Sequence, residues 1–274
     1  MKISFIGLGV MGFPIAGHLC SANFDVTVFN RTPAKASLWL DKHPGGRKAN
    51  SPAEAAQDAD IVFTCVGNDN DIDEVVCGGN GILSTLKPGG IIVDHSTVSA
   101  KISRSLNNFA ASQGCSFLDA PVSGGQQGAE NGRLTVMCGG DEHAFQKALP
   151  LIKHYSRECQ LMGPSGSGQL TKMVNQICIT GLIQSLSEAL NFAVNAGLDA
   201  EQVIGVISKG AAQSWQMENR YKSMLSGEFN HGFAVDWMRK DLSICFEEAK
   251  MNGSALPVAA LVDQFYSLVQ QRGG

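Results

Sequence analysis

Lys2-Ile3-Ser4-Phe5-Ile6-Gly7-Leu8-Gly9-Val10-Met11-Gly12 opens the chain, and its reading decides the fold. The residues before Gly7 read as a strand, the glycines as a tight turn, and the apolar segment to about Ala22 as a helix. The three glycines serve different purposes, since the first makes the turn, the second lets a pyrophosphate approach the backbone, and the third lets helix and strand pack closely. The helix N-terminus then faces the phosphates with unpaired N–H groups and the positive end of its dipole. A lone G-x-G-x-x-G is weak evidence, because glycine-rich turns are common. Here it follows a strand, opens a helix and precedes a second strand, Asp25-Val26-Thr27-Val28-Phe29, so Gly7, Leu8, Gly9, Val10, Met11 and Gly12 are expected to hold a dinucleotide.

The end of the second strand selects the dinucleotide. NAD sites usually place an acid there for the ribose 2′-OH, whereas this chain has Asn30-Arg31-Thr32. A 2′-phosphate would meet an amide, a guanidinium and a hydroxyl, with no carboxylate to repel it, since Asp25 sits at the far end of the strand. An isolated Arg is ordinarily a solvated loop residue. Its place after this strand points to NADP(H), with NAD(H) as the second choice.

At 274 residues the chain is long enough for two domains, and its balanced hydropathy with 17% charged residues is that of a globular protein. The net charge of −4 with no basic run points away from nucleic acid and from an anionic membrane surface. No uninterrupted apolar run reaches the length of a membrane span, and the N-terminal apolar stretch is a strand broken by glycines. The eight cysteines are scattered without a CxxC pair and read as buried thiols of a reducing, cytoplasmic compartment. No metal-ligand spacing stands out.

Downstream, helices are expected from Pro33 to Lys42 behind Thr32 as N-cap, after the capping box Ser51-Pro52-Ala53-Glu54, over Asp69 to Val76, and from Ser99 to Gln113. Between them, Ile61 to Val66, Ile91 to Asp94 and Ser116 to Asp119 read as buried strands. The alternation predicts a doubly wound parallel sheet, a Rossmann domain over residues 1–162. Ligands collect outside the carboxyl ends of such strands, which marks Val66-Gly67-Asn68, Ser96-Thr97-Val98 and Asp119-Ala120-Pro121-Val122-Ser123-Gly124-Gly125. Ser123-Gly124-Gly125 offers a hydroxyl and successive N–H groups suited to a carboxylate, although an ordinary flexible loop has the same composition.

After Gly163-Pro164-Ser165-Gly166-Ser167-Gly168 the pattern changes. A helix about 40 Å long is expected over 169–196, apolar on nearly all sides in its middle and therefore buried between domains or subunits. Further helices over 199–209, 214–223, 236–252 and 258–271 make residues 163–274 an all-α domain, joined to the first by the long helix. The chain ends in Arg272-Gly273-Gly274 without a helix cap, which leaves room for a further tail. Lys172 and Asn175 share one face of the long helix. A helical lysine is usually a surface group, but this one lies one turn past the glycine loop, where an interdomain cleft should open. Lys240-Asp241-Leu242 places a second lysine beside an acid, a pair that could equally be a weak surface ion pair. Trp215, Phe233 and Trp237 are candidates for a substrate-tail pocket or for plain core.

Five motifs in order resemble the β-hydroxyacid dehydrogenase family, which includes 3-hydroxyisobutyrate dehydrogenase and the tartronate semialdehyde, glyoxylate and succinic semialdehyde reductases. They are Gly7 to Gly12 with Pro14 and Ala16 behind it, Asp119 to Gly125, Gly163 to Gly168, Lys172 with Asn175, and Lys240-Asp241-Leu242. The resemblance covers nearly the whole chain. It implies a hydride transfer between NAD(P) and a small hydroxy acid or aldehyde, in a homodimer or homotetramer. Lys172 would be the general acid/base, Asn175 and Ser123, Gly124 and Gly125 the substrate binders, and Val66, Thr97 and Lys240 cofactor neighbours. The family's 6-phosphogluconate enzymes are far longer and its imine reductases replace the lysine, so neither branch fits. Asn30-Arg31-Thr32 resembles the NADPH-using aldehyde reductases; 3-hydroxyisobutyrate dehydrogenase and a non-catalytic NADP-binding protein are the alternatives.

Overall fold

The computed structural model describes residues 1–230 and 232–273; His231 and the terminal Gly274, part of the uncapped ending, lie outside the described residues. The chain divides into two compact units, Met1–Lys172 and Met173–Gly274.

The first unit begins with β1 (Lys2–Ile6), α1 (Gly12–Ser21), β2 (Asp25–Phe29), α2 (Pro33–Lys42), β3 (Arg47–Lys48), α3 (Pro52–Ala56) and β4 (Ile61–Thr64). It continues through α4 (Asp69–Cys77), β5 (Ile91–Asp94), α5 (Ala100–Ser112) and β6 (Ser116–Asp119). The six strands form one parallel sheet in the order β3-β2-β1-β4-β5-β6. Every residue of β4 and β5 is buried, as both-face coverage demands of apolar runs such as Ile61-Val62-Phe63. One apolar cluster, with Ile15, Trp39 and Leu151, covers one face, and another, with Ile72, Val76 and Leu106, covers the other. The sheet is therefore doubly wound, as the alternation of elements predicts. β1 is central, so the turn that follows it lies where the strand order reverses, the place where such sheets bind ligands.

Local signals are partly reassigned. Ser51 Oγ accepts from Glu54 N at 3.0 Å, but the Glu54 carboxylate returns to Asn50 N at 2.8 Å rather than to the capping residue. Thr32 stands at the N-cap of α2 without a side-chain capping bond, leaving Pro33 as the start signal. The strand expected to reach Val66 ends at Thr64, because Val66 N leaves the ladder to donate to Ser96 Oγ at 2.8 Å.

Beyond β6 lie elements that the sequence pattern does not resolve: β7 (Val122–Ser123), α6 (Gly125–Glu130), β8 (Leu134–Cys138), α7 (Glu142–Ile152) and β9 (Ser156–Leu161). They form a small mixed sheet, β7 antiparallel and β9 parallel to β8. Two of these elements are too short to carry a period, and β9 exposes two charged residues, Arg157 and Glu158.

The long helix α8 runs from Ser167 to Asn195. After it come α9 (Ala200–Ile207), α10 (Trp215–Ser226), α11 (Val235–Asn252) and α12 (Pro257–Gln271), with no strand among the described residues. Leu186, Leu190 and Ala193 of α8 pack with Ile204 and Met217; Met238, Leu242 and Ala259 form a second cluster. The chain alone does not bury α8 on all sides as its composition predicts, since Val174, Phe192 and Val194 are more than half exposed. By length and composition alone α8 could cross a membrane, although polar residues interrupt it throughout. It nevertheless carries Gln169, Lys172, Gln176 and Thr180 as one buried stripe, each hydrogen-bonded within the protein.

Candidate functional site

The glycine turn shows three separate constraints. Gly7 has φ +98°, and a Cβ there would lie 2.2 Å from Cys65 O, so the turn presses against the end of β4. A Cβ on Gly12 would lie 1.9 Å from Gly7 O and 2.8 Å from the Phe5 ring, which closes helix onto strand. At Gly9 a Cβ meets nothing within 4 Å, so this backbone faces outward and can be approached by a phosphate. α1 has Met11 at its N-cap, with no side-chain cap and no acid in its first turn, which leaves its N-terminal N–H groups suited to an anion. These residues fit a dinucleotide pyrophosphate.

Asn30 braces that turn: its Oδ1 accepts from Leu8 N at 2.8 Å and its Nδ2 donates to Thr32 O at 3.1 Å. The side chain of Arg31 is 86% exposed, and its guanidinium meets Asp71 Oδ1 at 3.0 Å. This corrects the expectation that no carboxylate stands near Arg31. Asp71 is forty positions away in sequence, in the first turn of α4, and α4 follows β4, which lies two strands from β2. Such an exposed pair contributes only about 0–1 kcal/mol, so a phosphate dianion can compete for the guanidinium.

The first turns of α8 gather the other strand ends. Asp119, at the end of β6, accepts from Gly166 N at 2.7 Å and Gln169 N at 3.0 Å, a buried carboxylate on the helix N-terminus. Burial pushes its carboxyl above the usual range against those same N–H groups. Gln169 donates to Ser96 O at 2.8 Å and accepts from Val98 N at 3.2 Å, clamping the loop that carries Thr97. One turn further, Lys172 is buried, and its Nζ donates to Val122 O at 3.0 Å. The ammonium therefore sits against β7, whose end is Ser123 and whose continuation is the Gly124-Gly125 turn, with φ +133° and +63°. The surface alternative for Lys172 is excluded by this burial.

Behind the β5 end lies a polar cluster. Asp94 Oδ1 accepts from Thr64 Oγ1 at 2.8 Å and from Ser96 Oγ at 2.6 Å, and burial raises its carboxyl to about 6. His95 Nδ1 donates to Ala120 O at 2.6 Å and Nε2 accepts from Tyr155 Oη at 2.9 Å, so the neutral ring is fully satisfied. Burial lowers its pKa to about 4. The linkages oppose one another. As pH falls from about 6.5 to 4 the unfolded chain protonates His95 first, which costs stability; the folded chain protonates Asp94 below about 6, ahead of the unfolded carboxylate, which adds it. Asp94→Asn removes the second effect. Between pH 7 and 4.5 the variant should lose on the order of 2 kcal/mol more than wild type, read by urea denaturation at both pH values.

In the second unit, Asn175 Nδ2 donates to Gln176 Oε1 at 2.8 Å, and Lys240 Nζ lies 3.0 Å from Asp241 Oδ1 and 5.8 Å from the Trp237 ring centroid. Lys240-Asp241 is thus no surface pair: the Asp241 side chain is 3% exposed. Trp215, Phe233 and Trp237 are all more than two-fifths exposed, not core. Nor are the cysteines uniformly buried. All are free thiols, but Cys178 is exposed.

A polar hollow of about 360 Å³ lies at the other edge of the sheet, lined by Lys2, Thr27, Arg47 and Asp58. Arg47 is paired with Asp25 at 2.5 Å and Lys2 with Asp58 at 3.6 Å, so it holds surface ion pairs away from the strand carboxyl ends.

A doubly wound sheet with this glycine turn, followed by a helical unit, is the architecture of a nicotinamide-dinucleotide dehydrogenase. Residues 2–163 match the family model for the NAD binding domain of 6-phosphogluconate dehydrogenase. Residues 166–274 match the one described as NAD-binding of NADP-dependent 3-hydroxyisobutyrate dehydrogenase. An oxidoreductase of Shewanella frigidimarina is 61% identical over 273 residues, covering 100% of this chain and 94% of that protein. The 2-hydroxy-3-oxopropionate reductase of Escherichia coli is 34% identical over 274 residues, covering 100% and 93%. Among solved structures, Psf3 in complex with NADP+ and 2-OPP superposes with a TM-score of 0.90 at 25% identity, covering 99% of this chain and 95% of that one. The chain belongs to the β-hydroxyacid dehydrogenase family and is an NAD(P)-dependent oxidoreductase. The non-catalytic alternative falls away.

Proposed function

We propose that the protein transfers a hydride between NADP(H) and a short β-hydroxy acid/semialdehyde pair of the glyoxylate, succinic semialdehyde or tartronate semialdehyde type, with Lys172 as the general acid/base. The observation that carries this reading is the Lys172 ammonium, buried and held at Val122 O, one residue from Ser123. Bound NADPH would supply the hydride. As negative charge grows on the aldehyde oxygen, a positioned ammonium stabilises it and delivers the proton; oxidation of the alcohol needs the neutral amine. Ser123 Oγ with the N–H groups of Gly124 and Gly125 suits the substrate carboxylate, and Asn175 is the further substrate binder. Thr97 and Lys240 are assigned to the nicotinamide end by the family resemblance, and Val66, just past the end of β4, is a further cofactor-binding residue. The reductase from Escherichia coli supports the aldehyde reductase reading, and the second family model favours 3-hydroxyisobutyrate as the alternative. Assaying glyoxylate, succinic semialdehyde, tartronate semialdehyde and 3-hydroxyisobutyrate with both cofactors decides between them.

The preference for NADP(H) rests on Arg31. Arg31→Ala should weaken NADPH by roughly 2 kcal/mol more than NADH, through loss of a charge-assisted contact to the 2′-phosphate. Equal losses, measured by fluorescence titration, would remove Arg31 from that role. The same reading makes the protein a cytoplasmic homodimer or homotetramer. Exposed apolar side chains on α8, Val174, Phe192 and Val194, support the association, and free thiols suit a reducing compartment.

A further inference from the structure

We infer that Gln176 is a positioning residue that fixes which end of the Asn175 amide is turned away from it toward substrate. The inference rests on Asn175 as a substrate binder, as proposed above. Four polar side chains in the second unit form a chain: Lys240 Nζ lies 3.0 Å from Asp241 Oδ1, Gln176 Nε2 donates to Asp241 Oδ2 at 2.6 Å, and Asn175 Nδ2 donates to Gln176 Oε1 at 2.8 Å. Gln176 and Asp241 are each 2% exposed. An amide can turn either end to a neighbour, and only its partners decide which.

Here the decision starts at Asp241. An ionised carboxylate only accepts, so the Gln176 amide must turn its NH2 end to Asp241 and its carbonyl oxygen to Asn175. That oxygen in turn requires the NH2 end of Asn175, which directs Asn175 Oδ1 the other way. The charge of Asp241, held by Lys240, thereby sets the donor and acceptor polarity of a residue two hydrogen bonds away. Glutamine suits this place because one amide both donates and accepts. Leucine would do neither, and an ionised glutamate would only accept, beside a second carboxylate.

Two substitutions test the inference. Gln176→Leu should lower kcat/KM for the aldehyde substrate about tenfold or more, the effect of one lost orienting hydrogen bond, while the Kd for NADPH stays within about twofold. Gln176→Glu should keep activity only when protonated, since the carboxylic acid reproduces both bonds, O–H to Asp241 and C=O from Asn175. Its kcat/KM should therefore fall as pH rises, in a step that neither wild type nor the leucine variant shows. The charged groups beside that carboxyl are Asp241 and, through it, Lys240. A structural role alone would lower the melting temperature and leave the kinetic constants of the folded enzyme unchanged, which would overturn the inference. A readout independent of turnover is the side-chain amide resonance of Asn175 in nitrogen-15-asparagine-labelled protein, assigned with Asn175→Asp. It should shift in Gln176→Leu, and an unmoved resonance sinks the inference. If the wild type turns over none of the four substrates, the functional reading fails instead, and that resonance alone decides the role of Gln176.

Discussion

Lys172→Ala should bind NADPH as the wild type does and lose about 10²–10⁴ in turnover, the usual contribution of a positioned general acid. The separation is expected because the Lys172 ammonium is held at Val122 O, beside β7, while the expected pyrophosphate site is the glycine turn after β1. Loss of the hydrogen bond to Val122 O should by itself move stability by only about 1 kcal/mol. Lys172→Arg sharpens the result: a guanidinium keeps the positive charge but cannot release a proton near neutral pH, so its turnover should be nearly as low as that of the alanine variant. If arginine restores most of the rate, the role of Lys172 is electrostatic and the proton comes from elsewhere, with Lys240 the next candidate. The wild-type pH profiles give a second check. Reduction uses the ammonium and should decline toward high pH, while oxidation uses the amine and should rise over the same range. Unchanged kcat in Lys172→Ala with normal NADPH affinity would remove the lysine from the chemistry.

The second large effect is expected at the glycine turn, where two neighbouring substitutions should fail for different reasons. Gly7→Ala must place a Cβ 2.2 Å from Cys65 O at φ +98°, a clash with backbone added to a left-handed conformation. The two penalties together come to on the order of 4 kcal/mol, and the turn that yields carries the dinucleotide site with it. Gly9→Ala meets nothing within 4 Å and has no such backbone constraint, so its stability should stay within about 0.5 kcal/mol of wild type. Its methyl group would nevertheless stand on the face a pyrophosphate must approach, and NADPH affinity should fall tenfold or more. Urea denaturation and cofactor titration on both variants distinguish the two roles. Loss of stability in Gly9→Ala, or retained affinity in it, would reject the division of labour among the glycines.

Much of the candidate site is visible along the chain because its residues cluster at strand ends. Gly7 to Gly12, Ser96-Thr97-Val98 and Ser123-Gly124-Gly125 each follow a recognisable strand, and the doubly wound topology places all such ends on one edge. The groups that hold those loops in place are harder to see. Gln169, which ties the Thr97 loop to α8, and Asp119, which caps α8, find their partners 71 and 47 positions away. One local signal does exist: Gln169, Lys172, Gln176 and Thr180 recur at spacings of three and four within an otherwise apolar helix. Buried polar side chains at helical spacing need partners, and that stripe marks them. Asp71 leaves no comparable trace, since an acid in the first turn of a helix is ordinary and only strand order brings it to Arg31.

Hydrophobic period and turn chemistry are local properties, so the main alternation of strands and helices, the glycine turn and the all-helical second unit could be derived from the chain itself. The small mixed sheet could not, because β7 is only two residues long and β9 carries the exposed charged pair Arg157 and Glu158 in place of an apolar alternation. Nor could the company each polar group keeps. Whether Lys172 is a solvated surface amine or a buried ammonium on Val122 O, whether Asp241 is a surface acid or a buried partner of Gln176, and whether Arg31 stands clear of carboxylates all depend on contacts between distant segments. Burial and hydrogen-bond partners are set by packing, and packing is where tertiary structure decides what a residue's chemistry becomes.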